Sequence, residues 1–157
     1  MKQTSKELAY RIEQFKEGLK KVGVKLTYQR LEVFREIAQS EDHPDAETIW
    51  KGVRQRVPTV SLDTVYRTLW LLIDLGLVET LGCVHERVRF DANQRSHHHF
   101  VCRRCGKICD FYSEEFDRLS IPDSVRGLGN VERMRVEISG ICVQCSEKEK
   151  SEQGIDS

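Results

Sequence analysis

Apolar residues recur at steps of three and four through the first half of the chain, and at steps of two after it. Leu8, Ile12, Phe15, Leu19 and Val22 share one face of a helix that Gly23 ends. Thr27 is a helix cap, followed by Leu31, Phe34, Ile37 and Ala38 on the apolar face of a second helix. His43-Pro44 interrupts the pattern. Asp45 caps a third helix with Ala46, Ile49 and Val53 inward, ending before Pro58. Ser61 caps a fourth, with Leu62, Val65, Leu69 and Leu72 inward, which stops at Gly76. Period two then takes over: Leu77 to Leu81 and Val84 to Phe90 flank Gly82-Cys83 and predict a β-hairpin with its tip there.

Several helices followed by a small hairpin outline a winged helix-turn-helix over residues 1–90. Residues 91–96 are polar and read as a hinge. Residues 97–146 hold three strand-like runs, His97 to Cys102, Lys107 to Tyr112 and Val131 to Ile141, with a short helix from about Ser113 to Leu119 between the last two. Residues 147–157 form a charged, polar tail expected to fray. The fold class is therefore α+β in two small domains.

Composition narrows the setting. Of 157 residues, 39% are hydrophobic and 32% charged, as in a globular protein. No apolar run reaches the roughly 20 residues of a bilayer span. Met1 to Phe15 lacks the apolar core of a signal peptide, so a cytoplasmic location is expected. Lys plus Arg number 25 and Asp plus Glu number 25, which excludes a strongly basic nucleic-acid coat but allows a local basic face.

Five of the six cysteines follow residue 100. Cys102-Arg-Arg-Cys105 and Cys142-Val-Gln-Cys145 are two CxxC pairs, and two intervening residues let a tight turn aim both thiolates at one ion. Four thiolates give closed, structural tetrahedral zinc. A redox pair or unligated buried cysteines are the alternatives, although no thioredoxin-like βαβ unit is apparent. Cys109 reads as a small buried hydrophobe, and Cys83 has no assigned role.

His97, His98 and His99 precede Cys102. On a strand, His97 and His99 share a face, while His98 and Cys102 have the other parity, which argues for two separate metal sites. With Asp91, Asp110 and His43 as candidate partners, imidazole and carboxylate suit iron(II), manganese(II) or zinc(II). A solvated polar strand end is the plainer alternative. On the fourth helix, Thr64, Tyr66 and Arg67 sit near the N-terminus, and residues 51–67 carry Lys51, Arg54, Arg56 and Arg67 against the single acid Asp63. Such a helix can enter a major groove, and an amphipathic core helix looks much the same.

Together these features resemble the ferric uptake regulator family of metal-responsive repressors. The resemblance is carried by Lys25-Leu26-Thr27-Tyr28-Gln29-Arg30, His43-Pro44, Asp63-Thr64-Val65-Tyr66-Arg67-Thr68-Leu69, Gly76-Leu77-Val78, Arg89-Phe90-Asp91 and His97-His98-His99-Phe100-Val101-Cys102, and continues through Cys105-Gly106-Lys107, Asp110-Phe111 and Gly140-Ile141-Cys142. It implies a DNA-binding winged helix, a C-terminal α/β dimerisation domain, and a homodimer on a palindromic operator. It implies that Tyr66 and Arg67, with Thr64 beside them, face the major groove, Lys25 the minor groove, and Arg30 a phosphate. Cys102, Cys105, Cys142 and Cys145 match the structural zinc ligands, one Zn²⁺ per chain. His43, Asp91, His97, His99 and Asp110 match a regulatory site for one Fe²⁺ or Mn²⁺.

Aspartate at both 91 and 110 looks like the peroxide-sensing branch, in which iron-catalysed oxidation of a ligating histidine (here His97 or His43) releases metal and DNA. An iron(II)-responsive regulator without peroxide sensing is the alternative. An auxiliary site found in many members would need histidines where this chain has Ser96 and Met134, which leaves His98 without a clear role. A metalloenzyme would need an open coordination position, for which five protein ligands leave little room. A zinc store would not need Thr64-Val65-Tyr66-Arg67. No enzymatic activity, small-molecule substrate or membrane partner is expected.

Overall fold

The computed structural model describes residues 4–84 and 87–153, without the side chains of Cys83, Val84 and Gln153. It divides into two compact units, Met1–Gln94 and Arg95–Ser157.

The first unit contains α1 (Ser5–Lys21), α2 (Tyr28–Gln39), α3 (Ala46–Arg54), α4 (Leu62–Asp74), β1 (Glu79–Val84) and β2 (Arg87–Asp91). Three of the helices start where a side chain takes up a free N–H group. Thr27, Asp45 and Ser61 accept from the backbone of Arg30, Thr48 and Thr64 at 3.2, 2.7 and 3.1 Å. Gly23 and Gly76 both leave their helices at φ +68°. The inward faces meet in one core that includes Phe15, Leu19, Phe34, Ile37, Ile49, Val65, Leu69 and Leu72. Phe15 and Phe34 stack at 4.7 Å. Glu32 is fully buried in α2 and is held by Arg35 (2.7 Å) and by Arg56, whose guanidinium also binds Glu36 at 2.6 Å. That cluster ties α2 to the end of α3 without leaving a charge unpaired.

β1 and β2 pair antiparallel, Glu79 opposite Asp91 and Leu81 opposite Arg89, with a register shift between Leu81 and Val84. This is a winged helix-turn-helix. The hairpin differs from its sequence outline: Gly82 and Cys83 lie inside β1 rather than at the tip, and the connecting residues 85 and 86 lie outside the described residues. Asp91, placed by sequence at the start of a hinge, is the last residue of β2.

The second unit contains β3 (His98–Cys102), β4 (Ile108–Phe111), α5 (Glu114–Asp117), α6 (Asp123–Arg126), β5 (Glu137–Gly140) and α7 (Val143–Gln153). Its sheet has the order β4-β3-β5, antiparallel on one side of β3 and parallel on the other. The parallel pair demands a long crossover, which α5 and α6 occupy. The long run expected from Val131 becomes a strand only at Glu137, and α6 has no counterpart in the sequence reading. The residues after Ser146 continue α7 to Gln153 rather than fraying at once. Among the described residues no helix is long and apolar enough to cross a membrane.

Candidate metal centres and reading helix

The parallel pairing of β3 with β5 puts Cys102 opposite Gly140, so the two CxxC turns emerge at the same end of the sheet. The first turn closes through Gly106 N–H to the Cys102 carbonyl (2.9 Å) and Cys102 N–H to the Lys107 carbonyl (2.9 Å), with Gly106 at φ +74°. Cys142 follows β5, and Cys145 lies in the first turn of α7. Cys102 and Cys145 are buried. The four Sγ atoms lie within 4.8 Å of one another, with Cys102–Cys145 at 3.9 Å and Cys105–Cys142 at 3.8 Å. Those separations are far too long for a disulfide. They match a tetrahedral ion whose Zn–S bonds of about 2.3 Å set thiolates about 3.8 Å apart.

Two of the clustered thiols are perturbed in opposite directions. Backbone N–H groups of Cys105 and Cys142 point at the Cys102 sulfur and hold its thiol down to about 6. Hydrogen bonding with the Cys142 thiol and burial push Cys145 up to about 12. Zinc would hold all four as thiolates.

A second donor set lies at the other end of β3. Nε2 atoms of His97 and His99 face each other at 3.0 Å. Asp110 Oδ1 lies 3.7 Å from the first and 3.3 Å from the second. β4 supplies Asp110 directly opposite His99 in the antiparallel register. His97 Nδ1–H donates to the Arg95 carbonyl at 2.6 Å, which leaves Nε2 with its lone pair toward the cluster. Two imidazole nitrogens and a carboxylate oxygen crowd together and require a shared proton or a cation among them.

In the first unit, His43 Nδ1 lies 3.7 Å from Asp91 Oδ1, and both residues are buried. His43 occupies the left-handed region at φ +47°, an uncommon conformation for a residue with a Cβ and one that costs about 1 kcal/mol. Arg89 holds it by donating to the His43 carbonyl (3.1 Å), and Phe90 N–H donates to the neighbouring Pro44 carbonyl (3.1 Å). Asp91 Oδ1 also accepts from Asn93 N–H at 2.8 Å, which fixes its rotamer. These imidazole and carboxylate donors suit iron(II) or manganese(II).

On α4, Val65, Leu69 and Leu72 are buried, while Tyr66 is exposed and Thr64 half-buried. Arg67 is exposed and pairs with Asp63 at 2.9 Å. Lys25 is exposed just before α2, and the half-buried Arg30 donates to its carbonyl.

With this geometry, likeness to known proteins becomes decisive. Residues 21–137 match the ferric uptake regulator family. The chain belongs to the ferric uptake regulator family. Among its relatives, the peroxide-responsive repressor PerR of Staphylococcus epidermidis is 34% identical over 132 residues, covering 83% of this chain and 87% of that protein. The structure of PerR from Streptococcus pyogenes, described as the basis of peroxide sensing and gene regulation, is 29% identical with a TM-score of 0.51, covering 86% of this chain and 92% of that one. The Helicobacter pylori ferric uptake regulator shares the fold with a TM-score of 0.71 at 24% identity, over 92% of this chain and 95% of that one. The family is one of transcriptional regulators rather than enzymes.

Within this family member, the groups around His98 depart from a metal site. Ser96 Oγ donates to Asp117 Oδ1 at 2.6 Å, and His98 Nε2 lies 3.2 Å from the same oxygen. His98 Nδ1 accepts from Val136 N–H at 3.1 Å, and the ring packs between Phe111 and Phe116, each 5.5 Å away. Met134 is exposed. Among the described residues no further metal cluster forms there. Asp117 and the Val136 amide were missed by sequence reasoning, because only the crossover connection brings them to His98. Trp50, which donates from Nε1 to the Val60 carbonyl at 3.0 Å and braces the turn before α4, was likewise missed.

Proposed function

We propose that this protein is a metal-dependent transcriptional repressor that binds a palindromic duplex as a homodimer and senses hydrogen peroxide. The observation that carries the reading is the donor chemistry: His43 and Asp91 in the winged unit, and His97, His99 and Asp110 at the opposite end of β3 from the cysteine cluster, with aspartate rather than glutamate at both carboxylate positions. Likeness to peroxide-responsive repressors supports the same branch.

One ion shared by all five donors would couple the two units, and it would favour DNA binding only by its differential affinity for the competent arrangement. His43 is the donor that links regulation to the reading helix, since it belongs to the winged unit. Iron(II) held by these donors would supply the reducing power that cleaves hydrogen peroxide beside its ligands. His97 or His43 would take up one peroxide oxygen while the other leaves as water, and an oxidised imidazole would no longer offer a good lone pair. Manganese in the same donors leaves the repressor insensitive. Thr64, Tyr66 and Arg67 contact bases, Lys25 reaches the minor groove, and Arg30 meets a phosphate.

A second copy suits the C-terminal unit. β5 is an edge strand with Ile138 exposed, and Leu128 and Val143 are exposed apolar side chains nearby in sequence. Two-fold symmetry of the dimer then matches a palindrome.

The test is operator protection by purified protein with iron, manganese or zinc, before and after peroxide, with mass analysis of the peptides bearing His43 and His97. Peroxide should release the iron-loaded protein alone and add one oxygen to one of those peptides. An iron response without that oxygen would assign the protein to iron regulation instead. Protection indifferent to every metal would end the proposal.

A further inference from the structure

Trp70 is unusual for its place. It lies on α4 one turn beyond Tyr66 and Arg67, and it is 60% exposed although tryptophan is the largest apolar side chain in the protein. At 100° per residue, Asp63, Tyr66, Arg67, Trp70 and Asp74 fall on one solvent face of the helix, opposite buried Val65, Leu69 and Leu72. Trp70 sits near the middle of that face, about 6 Å along the axis from Tyr66.

Basic side chains lie on α3 and on the turn that leads into α4. Arg54 lies over the Trp50 ring at 4.7 Å, and Trp50 binds the Val60 carbonyl, one residue before the α4 cap. Lys51, Arg54, Gln55 and Pro58 line a hollow of about 210 Å³. Cationic groups beside an exposed helix N-terminus suit the phosphates that border a groove, and bases then lie where the aromatic face points. An indole cannot hydrogen-bond the acceptor edges of purines through its ring face, but it packs well on an apolar group. The major groove offers one such group, the C5-methyl of thymine.

We infer that Trp70 is a specificity-determining residue of the reading helix, packing its indole on a thymine methyl group in the major groove. The inference rests on the DNA-binding reading above and extends it to a side chain outside the Thr64-Tyr66-Arg67 set.

The test selects binding sites from a pool of randomised duplexes with manganese-loaded full-length protein, in parallel for wild type, W70A and W70F. The selected duplexes are then remade with deoxyuridine in place of each thymidine, which removes only the methyl group. Wild type should require a thymine at one step in each half-site and lose about fourfold in affinity there with deoxyuridine, the worth of one buried carbon. W70A should leave that step degenerate and ignore the methyl group, and W70F should retain part of the preference. Because Trp70 is exposed, the thermal melts of the variants should overlay that of wild type.

Identical selected sites and identical methyl dependence for W70A and wild type would overturn the inference while leaving DNA binding intact. A W70A protein that instead changes its oligomeric state in ultracentrifugation would assign the face to a second copy and overturn it too. Failure of wild type itself to select any site would bring down the DNA-binding reading, and the inference with it.

Discussion

Removing one zinc ligand should unfold the C-terminal unit and spare the winged one. Consider Cys102→Ser. Among the described residues, the buried apolar side chains of the second unit are Val101, Ile108, Cys102 and Cys145, two of which are themselves ligands. Burying Val101 and Ile108 is worth about 1.5–3 kcal/mol each. Ordering the backbone costs about 1–2 kcal/mol per residue, so such a core cannot hold a three-stranded sheet by itself. Structural zinc on cysteines contributes about 10–16 kcal/mol, comparable to the whole stability of an ordinary domain. The winged unit, by contrast, buries Phe15, Phe34, Leu19, Ile37, Ile49, Leu69 and Leu72 in a core of its own.

The assay is amide NMR with bound zinc counted by mass spectrometry. In Cys102→Ser, resonances of β3, β4 and β5 should lose dispersion, while those of α1 to α4 persist. Cys109→Ser, a half-buried β4 residue outside the cluster, should keep both zinc and dispersion. A zinc-free Cys102→Ser protein with a dispersed C-terminal spectrum and an unchanged melt would refute the reasoning.

Leu69→Ala leaves a hole on the inward face of α4, where Leu69 is 1% exposed, and should cost about 2–5 kcal/mol in urea unfolding followed by circular dichroism. Asp45 carries a pH signature: burial pushes its carboxyl up, but Arg87 at 2.8 Å and the Thr48 amide together bring it down to about 2. A lowered value stabilises the fold above the unfolded value of 3.8, and the gain fades as pH falls toward 2. Asp45→Asn should therefore destabilise by about 1 kcal/mol at neutral pH and by less near pH 2; an equal gap at both would contradict the ion pair. Arg67→Ala should weaken operator binding by about 1–3 kcal/mol and relax one base position; a uniform loss with a shallower salt slope would make Arg67 a phosphate contact instead.

Local chemistry made most of the winged unit legible in the sequence. A helix cap needs only a hydroxyl or carboxylate three residues before a free amide, so Thr27, Asp45 and Ser61 marked their helices without knowledge of the rest of the fold. The cysteine spacing was readable for the same reason, since each knuckle closes within a few residues. Strands are different, because a strand exists only where a partner lies beside it. Val131 to Ile141 alternates well enough, but β3 is five residues long, and β5 pairs only from Glu137. Just before it, the Val136 amide is taken by His98 Nδ1. The same dependence set the fate of the three histidines. Alternation through the residues that lead into β3 separated His97 and His99 from His98, whereas the crossover chain decided that His98 meets Phe111, Phe116 and Asp117. Residue type and spacing thus determined which groups could ligate or cap. Pairing partners distant in sequence, which no local energy specifies, decided where each strand stops and which imidazole is used for packing.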